Sequence, residues 1–163
     1  MKKAMVIGCP GSGKSTFSRA LAEATGLAAY HLDMLFWNAD KTTVDSAEFH
    51  RRLTGVLEKP EWILDGDYAS TMELRMRSCD TVLFLDYPVE LCLEGIRARQ
   101  GKPRADMPWV EEKADEEFLA FIKDYESSRR PKVLALLEQY REKEIHIFRT
   151  REEAARFLNG ISK

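Results

Sequence analysis

Residues Gly8-Cys9-Pro10-Gly11-Ser12-Gly13-Lys14-Ser15-Thr16 place one lysine and three hydroxyls among three glycines, a combination suited to gripping a polyphosphate. The spacing Gly8-x-x-x-x-Gly13-Lys14-Ser15 is that of a phosphate-binding loop. Glycine lets successive backbone N–H groups turn inward around an anion, at the positive end of the helix that follows. Cys9, Pro10, Gly11 and Ser12 are expected to carry that backbone around the phosphates of a nucleoside triphosphate. Lys14 is expected to reach the β- and γ-phosphates as a mobile point charge. Ser15 is expected to place its hydroxyl on Mg²⁺, and Thr16 to bond a phosphate nearer the ribose.

The flanks suit this chemistry. Ala4 to Ile7 form a short apolar run, and after the loop Phe17, Ala20, Leu21 and Ala24 recur at helical spacing. Further strands are expected at Leu27–His31, Glu61–Leu64, Thr81–Leu85 and Glu144–Phe148. Helical patterns fill the intervals. They are Phe49/Leu53/Val56/Leu57 behind an Asp45–Glu48 start, Val89/Cys92/Leu93/Ile96, Phe118/Phe121/Ile122/Tyr125, and Val133/Leu136/Leu137/Tyr140. Pro131 is expected to break or kink the path between the last two. Thr150-x-x-Glu153 reads as a capping box before Ala154, Phe157, Leu158 and Ile161. Alternating strands and helices imply an α/β domain with a parallel sheet covered on both faces.

At 163 residues and a net charge of −2, the chain is sized for one domain and offers no broad basic surface for nucleic acid. Cys9, Cys79 and Cys92 are scattered without CxxC spacing, which suits reduced thiols in the cytoplasm better than a zinc site or a disulfide framework. No segment reaches membrane-spanning length. His31, His50 and His146 lack metal-ligand spacing and read as core or surface residues.

With GCPGSGKST, HLDMLFW (His31–Trp37), WILDGDY (Trp62–Tyr68), TVLFLDYP (Thr81–Pro88), RARQGKPRADM and RRPKVLALLE, the chain resembles the adenylate-kinase-like small P-loop kinases. Within them it is most similar to the bacterial DNA topology modulation proteins. The resemblance implies a three-layer fold with a five-stranded parallel sheet of order 2-3-1-4-5. It also implies an acceptor flap at about 33–60 and a lid at about 97–115. Asp65 and Asp86 then compete for the metal-facing position beside the P-loop strand, and the following Gly66 favours Asp65. Related sugar and shikimate kinases keep an aspartate like Asp33 to hold the acceptor hydroxyl; an N-cap for a short helix beginning at Met34 is the other reading. Trp37 either stacks on a planar acceptor or covers the core, and Tyr68 lies on the same acceptor side.

Adenylate kinases carry Asp-Gly-Phe-Pro-Arg after strand three, whereas this chain has Asp65-Gly66-Asp67-Tyr68-Ala69. AMP is therefore in doubt as acceptor, with Arg75 or Arg77 as substitutes for the missing arginine. In the lid, Arg97, Arg99, Lys102 and Arg104 suit the charge of phosphoryl transfer, Arg97 and Arg104 foremost, although cations at a helix C-terminus are favourable in any case. Arg129 and Arg130 suit a phosphate or a solvated helix end, and Arg149 and Arg151 the adenine or the surface.

Two functions follow. One is Mg·ATP-dependent phosphoryl transfer to a small molecule, including a nucleotide or nucleoside. The other is an ATP-binding regulatory protein tied to DNA topology without such activity. The slightly acidic charge and the lack of a basic arm argue against direct nucleic-acid binding.

Overall fold

A computed structural model describes residues 1–103, 108 and 116–161. Five parallel strands form one sheet in the order β2-β3-β1-β4-β5. They are β1 (Lys3–Gly8), β2 (Ala29–His31), β3 (Trp62–Asp65), β4 (Thr81–Leu85) and β5 (Glu144–Phe148). The helices are α1 (Lys14–Thr25), α2 (Leu32–Phe36), α3 (Ser46–Leu57), α4 (Met72–Ser78), α5 (Val89–Arg99), α6 (Glu116–Ser128), α7 (Arg130–Gln139) and α8 (Arg151–Ile161).

Strand periodicity divides the core in two. On one face Met5, Ile7, Trp62, Leu64, Val82 and Phe84 pack under α3, α4 and α7 through Phe49, Leu53, Met72, Met76, Val133 and Leu137. On the other, Ala4, Val6, Ile63, Leu83 and Leu85 meet Phe17 and Leu21 of α1 and Ala154 of α8. A smaller cluster of Cys9, Cys92, Ile96, Ile122 and Tyr125 joins α5 and α6 to the loop after β1. Among the described residues no helix is long and apolar enough to cross a membrane.

Most boundaries match the hydrophobic patterns, and the exceptions have local causes. β2 is confined to Ala29–His31, because Gly26 caps α1 in a left-handed conformation and the chain needs Leu27 and Ala28 to reach the sheet. Asp45 caps α3 by accepting the Glu48 N–H at 2.7 Å. Pro131 is the second residue of α7, where its missing N–H costs nothing, so it begins that helix and does not kink it. Phe121 faces outward on α6, leaving Ile122 and Tyr125 as the buried stripe.

The loop after β1 is held by a backbone-to-backbone approach to α5. A Cβ on Gly11, whose φ is +87°, would fall 2.1 Å from the Cys92 carbonyl oxygen; one on Gly95 would fall 2.0 Å from the Gly11 carbonyl oxygen. Helix propensity alone would make Gly95→Ala stabilising by about 1 kcal/mol. We expect the opposite sign, a loss of about 1–3 kcal/mol from overpacking, measured by urea denaturation.

Candidate functional site

All five strands point the same way, so the segments after β1, β2, β3 and β4 gather at one end of the sheet. The loop after β1 starts α1 without help from any side chain. Gly13 is the N-cap, no capping side chain bonds to it, and the first turn carries no acidic residue. The first N–H groups of α1 therefore face the loop as donors. Lys14 Nζ folds back to donate to the carbonyls of Gly8 at 2.9 Å and Cys9 at 3.2 Å. Ser15 Oγ accepts from Arg19 at 2.7 Å, and Thr16 is exposed. Ser12 Oγ is buried with no partner among the described residues.

The two rival aspartates lie on opposite faces. Asp65 is level with Val6 in the β1–β3 register and alternates with Leu64, which places its side chain on the α1 face. Its Oδ2 is 2.5 Å from His31 Nδ1, its cross-strand neighbour on β2. Asp86 follows β4, and its carboxylate receives both Arg130 Nε and Nη2 at 2.9 Å, with Arg149 Nε 3.3 Å away. A divalent cation at Asp86 would meet two guanidinium charges. His31 is thus a partner of a cleft carboxylate, which histidine spacing alone does not reveal.

Asp33 neither ends β2 nor caps a helix. β2 stops at His31, which is itself the N-cap of α2, and Asp33 lies in the first turn. Its carboxylate accepts the Tyr68 hydroxyl proton. Burial and the Asp33 charge push the Tyr68 phenol far up, so it stays a donor. Trp37 in turn hydrogen-bonds the Tyr68 side chain. The Trp37 ring stands edge-on to Phe36 at 5.4 Å, and Phe36 and Phe49 both pack on Tyr68. Trp37, Tyr68 and Asp33 therefore form one hydrogen-bonded row.

Arginines fix the loop from Gly66 to Thr71. Gly66 has φ +141°, and a Cβ there would come within 2.5 Å of the Leu32 side chain. Arg75, 0% exposed, donates to the carbonyls of Gly66 (3.0 Å) and Tyr68 (2.7 Å) and to Thr71 Oγ1 (3.1 Å). Burial pulls its pKa down to about 10, still charged at neutral pH. Arg75 is committed to the protein's own backbone and does not present its charge to an acceptor, while Arg77 is exposed on the far side of α4. Arg129 donates to the Asp67 carbonyl at 3.0 Å and pairs with its carboxylate at 3.4 Å, where Tyr125 also bonds at 3.3 Å.

Arg97 is exposed on α5, and Arg104 lies outside the described residues. Arg151 sets its guanidinium 5.8 Å from the Tyr87 ring, beside Gly13. A cavity of about 210 Å³ opens between these elements, lined by Cys9, Asp86, Tyr87, Tyr125, Arg130 and Arg149 among others. No group of three metal-ligating side chains occurs among the described residues.

The fold is similar to those of several solved small-molecule kinases. A shikimate kinase from Acinetobacter baumannii, in complex with shikimate, matches 99% of this chain and 93% of its own, at TM-score 0.63 and 20% identity. A shikimate kinase from Bacteroides thetaiotaomicron matches 99% of this chain and 97% of its own, at TM-score 0.59 and 17% identity. A gluconokinase from Sinorhizobium meliloti matches 98% of this chain and 89% of its own, at TM-score 0.57 and 15% identity. No protein-family model matches the sequence, and a search of curated proteins returns no match.

The arginine network yields a contrast on one helix. Arg75→Met leaves three acceptors, two of them buried, without their donor and should cost roughly 2–4 kcal/mol in chemical denaturation. Arg77→Met should stay within about 0.5 kcal/mol.

Proposed function

We propose that the chain is a Mg·ATP-dependent kinase that transfers the terminal phosphoryl group to a hydroxyl of a small acceptor. The supporting observation is that one end of the sheet carries both halves of such a reaction. The uncapped start of α1, with Lys14 above it, is a seat for phosphates. The Asp33–Tyr68–Trp37 row, after β2 and β3, is a seat for a hydroxylated molecule. Ligands of open α/β sheets bind at this carboxyl end.

In this reading the backbone from Gly8 to Thr16 surrounds the phosphates, and Lys14 leaves the Gly8 and Cys9 carbonyls for the β- and γ-oxygens. Ser15 and, through water, Asp65 would hold Mg²⁺, which would supply positive charge against the phosphates. The alternation of β3 supports Asp65 over Asp86, because it turns Asp65 to the side where α1 begins. Asp33, whose carboxylate accepts the Tyr68 hydroxyl, holds the acceptor hydroxyl and takes its proton as the new O–P bond forms. Trp37 and Tyr68 shape the acceptor side.

Segment 33–60 acts as the flap, and the lid assigned to about 97–115 contributes Arg97 and Arg104, although Arg104 and most of that segment beyond 103 lie outside the described residues. The whole chain works as one catalytic domain, in line with its resemblance to the DNA topology modulation proteins. Because Arg75 is committed to its own loop, a bare hydroxyl is favoured over AMP as the recognised feature. Sugar acids, nucleosides and nucleotides are the acceptors to screen for stimulated ADP release.

Lys14→Ala should lower turnover by at least about a hundredfold while moving unliganded stability by no more than about 1 kcal/mol. Turnover at the parent rate would refute the phosphate seat. Asp33→Asn should lower kcat with the responsive acceptor by about a hundredfold or more. Its affinity for a non-hydrolysable ATP analogue should stay within about threefold by calorimetry; a matching loss of ATP affinity would place Asp33 on the nucleotide side.

A further inference from the structure

Far apart in sequence, two of the three cysteines meet in the fold. Cys9 in the phosphate loop and Cys92 in α5 are both buried and pack with Ile96, Ile122 and Tyr125. The backbones beside them touch through the Gly11–Cys92 and Gly95–Gly11 approaches. Cys9 also lines the cavity of about 210 Å³, which gives a small oxidant a way in.

The electrostatic setting favours sulfur chemistry. A hydrogen bond between the thiols keeps the proton on Cys9 and lowers the pKa of Cys92. Burial and Asp86 oppose the Cys92 thiolate, whereas Lys14, Arg151 and the start of α5 favour it. Cys79 differs: burial pushes its thiol up to about 11, and its sulfur bonds the Met76 carbonyl.

We infer that Cys9 and Cys92 are an oxidisable pair that a hydroperoxide closes to a disulfide, fastening the phosphate loop to α5. One sulfur attacks the peroxide O–O bond, becoming a sulfenic acid as the far oxygen leaves with a proton. The second sulfur displaces the sulfenic hydroxyl as water, forming the S–S bond. Two thiols give up two electrons and two protons, and hydrogen peroxide becomes two waters. A dithiol reductant reverses the change.

The consequence runs through Lys14, whose ammonium rests on the Gly8 and Cys9 carbonyls. A bond at the Cys9 sulfur fixes that stretch of backbone and hinders the release of Lys14 to incoming phosphates. This consequence rests on the kinase reading; the formation of the disulfide does not.

The test uses the full chain as Cys79→Ala, so that the pair supplies the only thiols. After hydrogen peroxide, unreduced peptide mapping should find a Cys9–Cys92 link that dithiothreitol removes. Hydrogen exchange across Gly8–Ser15 should slow by about tenfold, and affinity for a non-hydrolysable ATP analogue should fall by about tenfold or more. Cys92→Ser, or Cys92→Ala if the serine variant does not fold, should lose both effects. Separate sulfinic acids without a link, or a link that leaves exchange over the loop unchanged, would overturn the inference. Failure of the reduced protein to bind the analogue would strike the kinase reading alone, because the link and the exchange are read without nucleotide.

Discussion

A strand buried on both faces and paired along both edges has only its ends left for chemistry, and β1 is such a strand. Ala4 to Ile7 are fully buried, with β3 on one side and β4 on the other. Chain leaving its carboxyl end must turn within the space between Leu85 and α5, which is why glycine rather than a larger residue stands at Gly11. The same turn delivers α1 with its first N–H groups uncapped. In the proposed reading, anion binding at this point is a by-product of how a fully buried parallel strand ends.

The neighbouring strands supply the rest by register. The pairing of His31 with Asp65, and of Val6 with Asp65, sets a carboxylate and an imidazole beside the loop on the α1 face. One residue further along a strand reverses the face, which is how Asp86 comes to face α7 and its arginine. The proposed acceptor side is built differently, from a loop that has no strand to hold it. Arg75 from below and Arg129 from the side take up the carbonyls of Gly66, Tyr68 and Asp67. The structure thus places one wholly buried charge beneath the loop that carries Tyr68.

Where local sequence sets the outcome, it could be read directly. The strand, glycine-rich turn and helix around Gly8 to Thr16, the apolar strands, the Asp45 cap and the strand order implied by resemblance all agree with the fold. What escaped depends on partners distant in sequence. His31 has no ligand spacing because its partner comes from another strand. The helix α4 was hidden because Arg75 interrupts the apolar residues Met72 and Met76, and nothing local shows that this arginine is buried on loop carbonyls. Phe121 matched the helical period, but α6 packs along only one side of that stripe, and the phenyl ring stays outside. Cys9 and Cys92 looked scattered for the same reason.

The central claim is that the loop from Gly8 to Thr16 is a seat for triphosphate, with Asp65 at its metal side. Backbone amide NMR during titration with Mg²⁺ and a non-hydrolysable ATP analogue tests it most directly. Saturable shifts should concentrate at Gly11 to Thr16, and those at Asp65 and Gly66 should require Mg²⁺. No saturable shift at the loop, or shifts confined to surface sites away from the carboxyl end of the sheet, would contradict it.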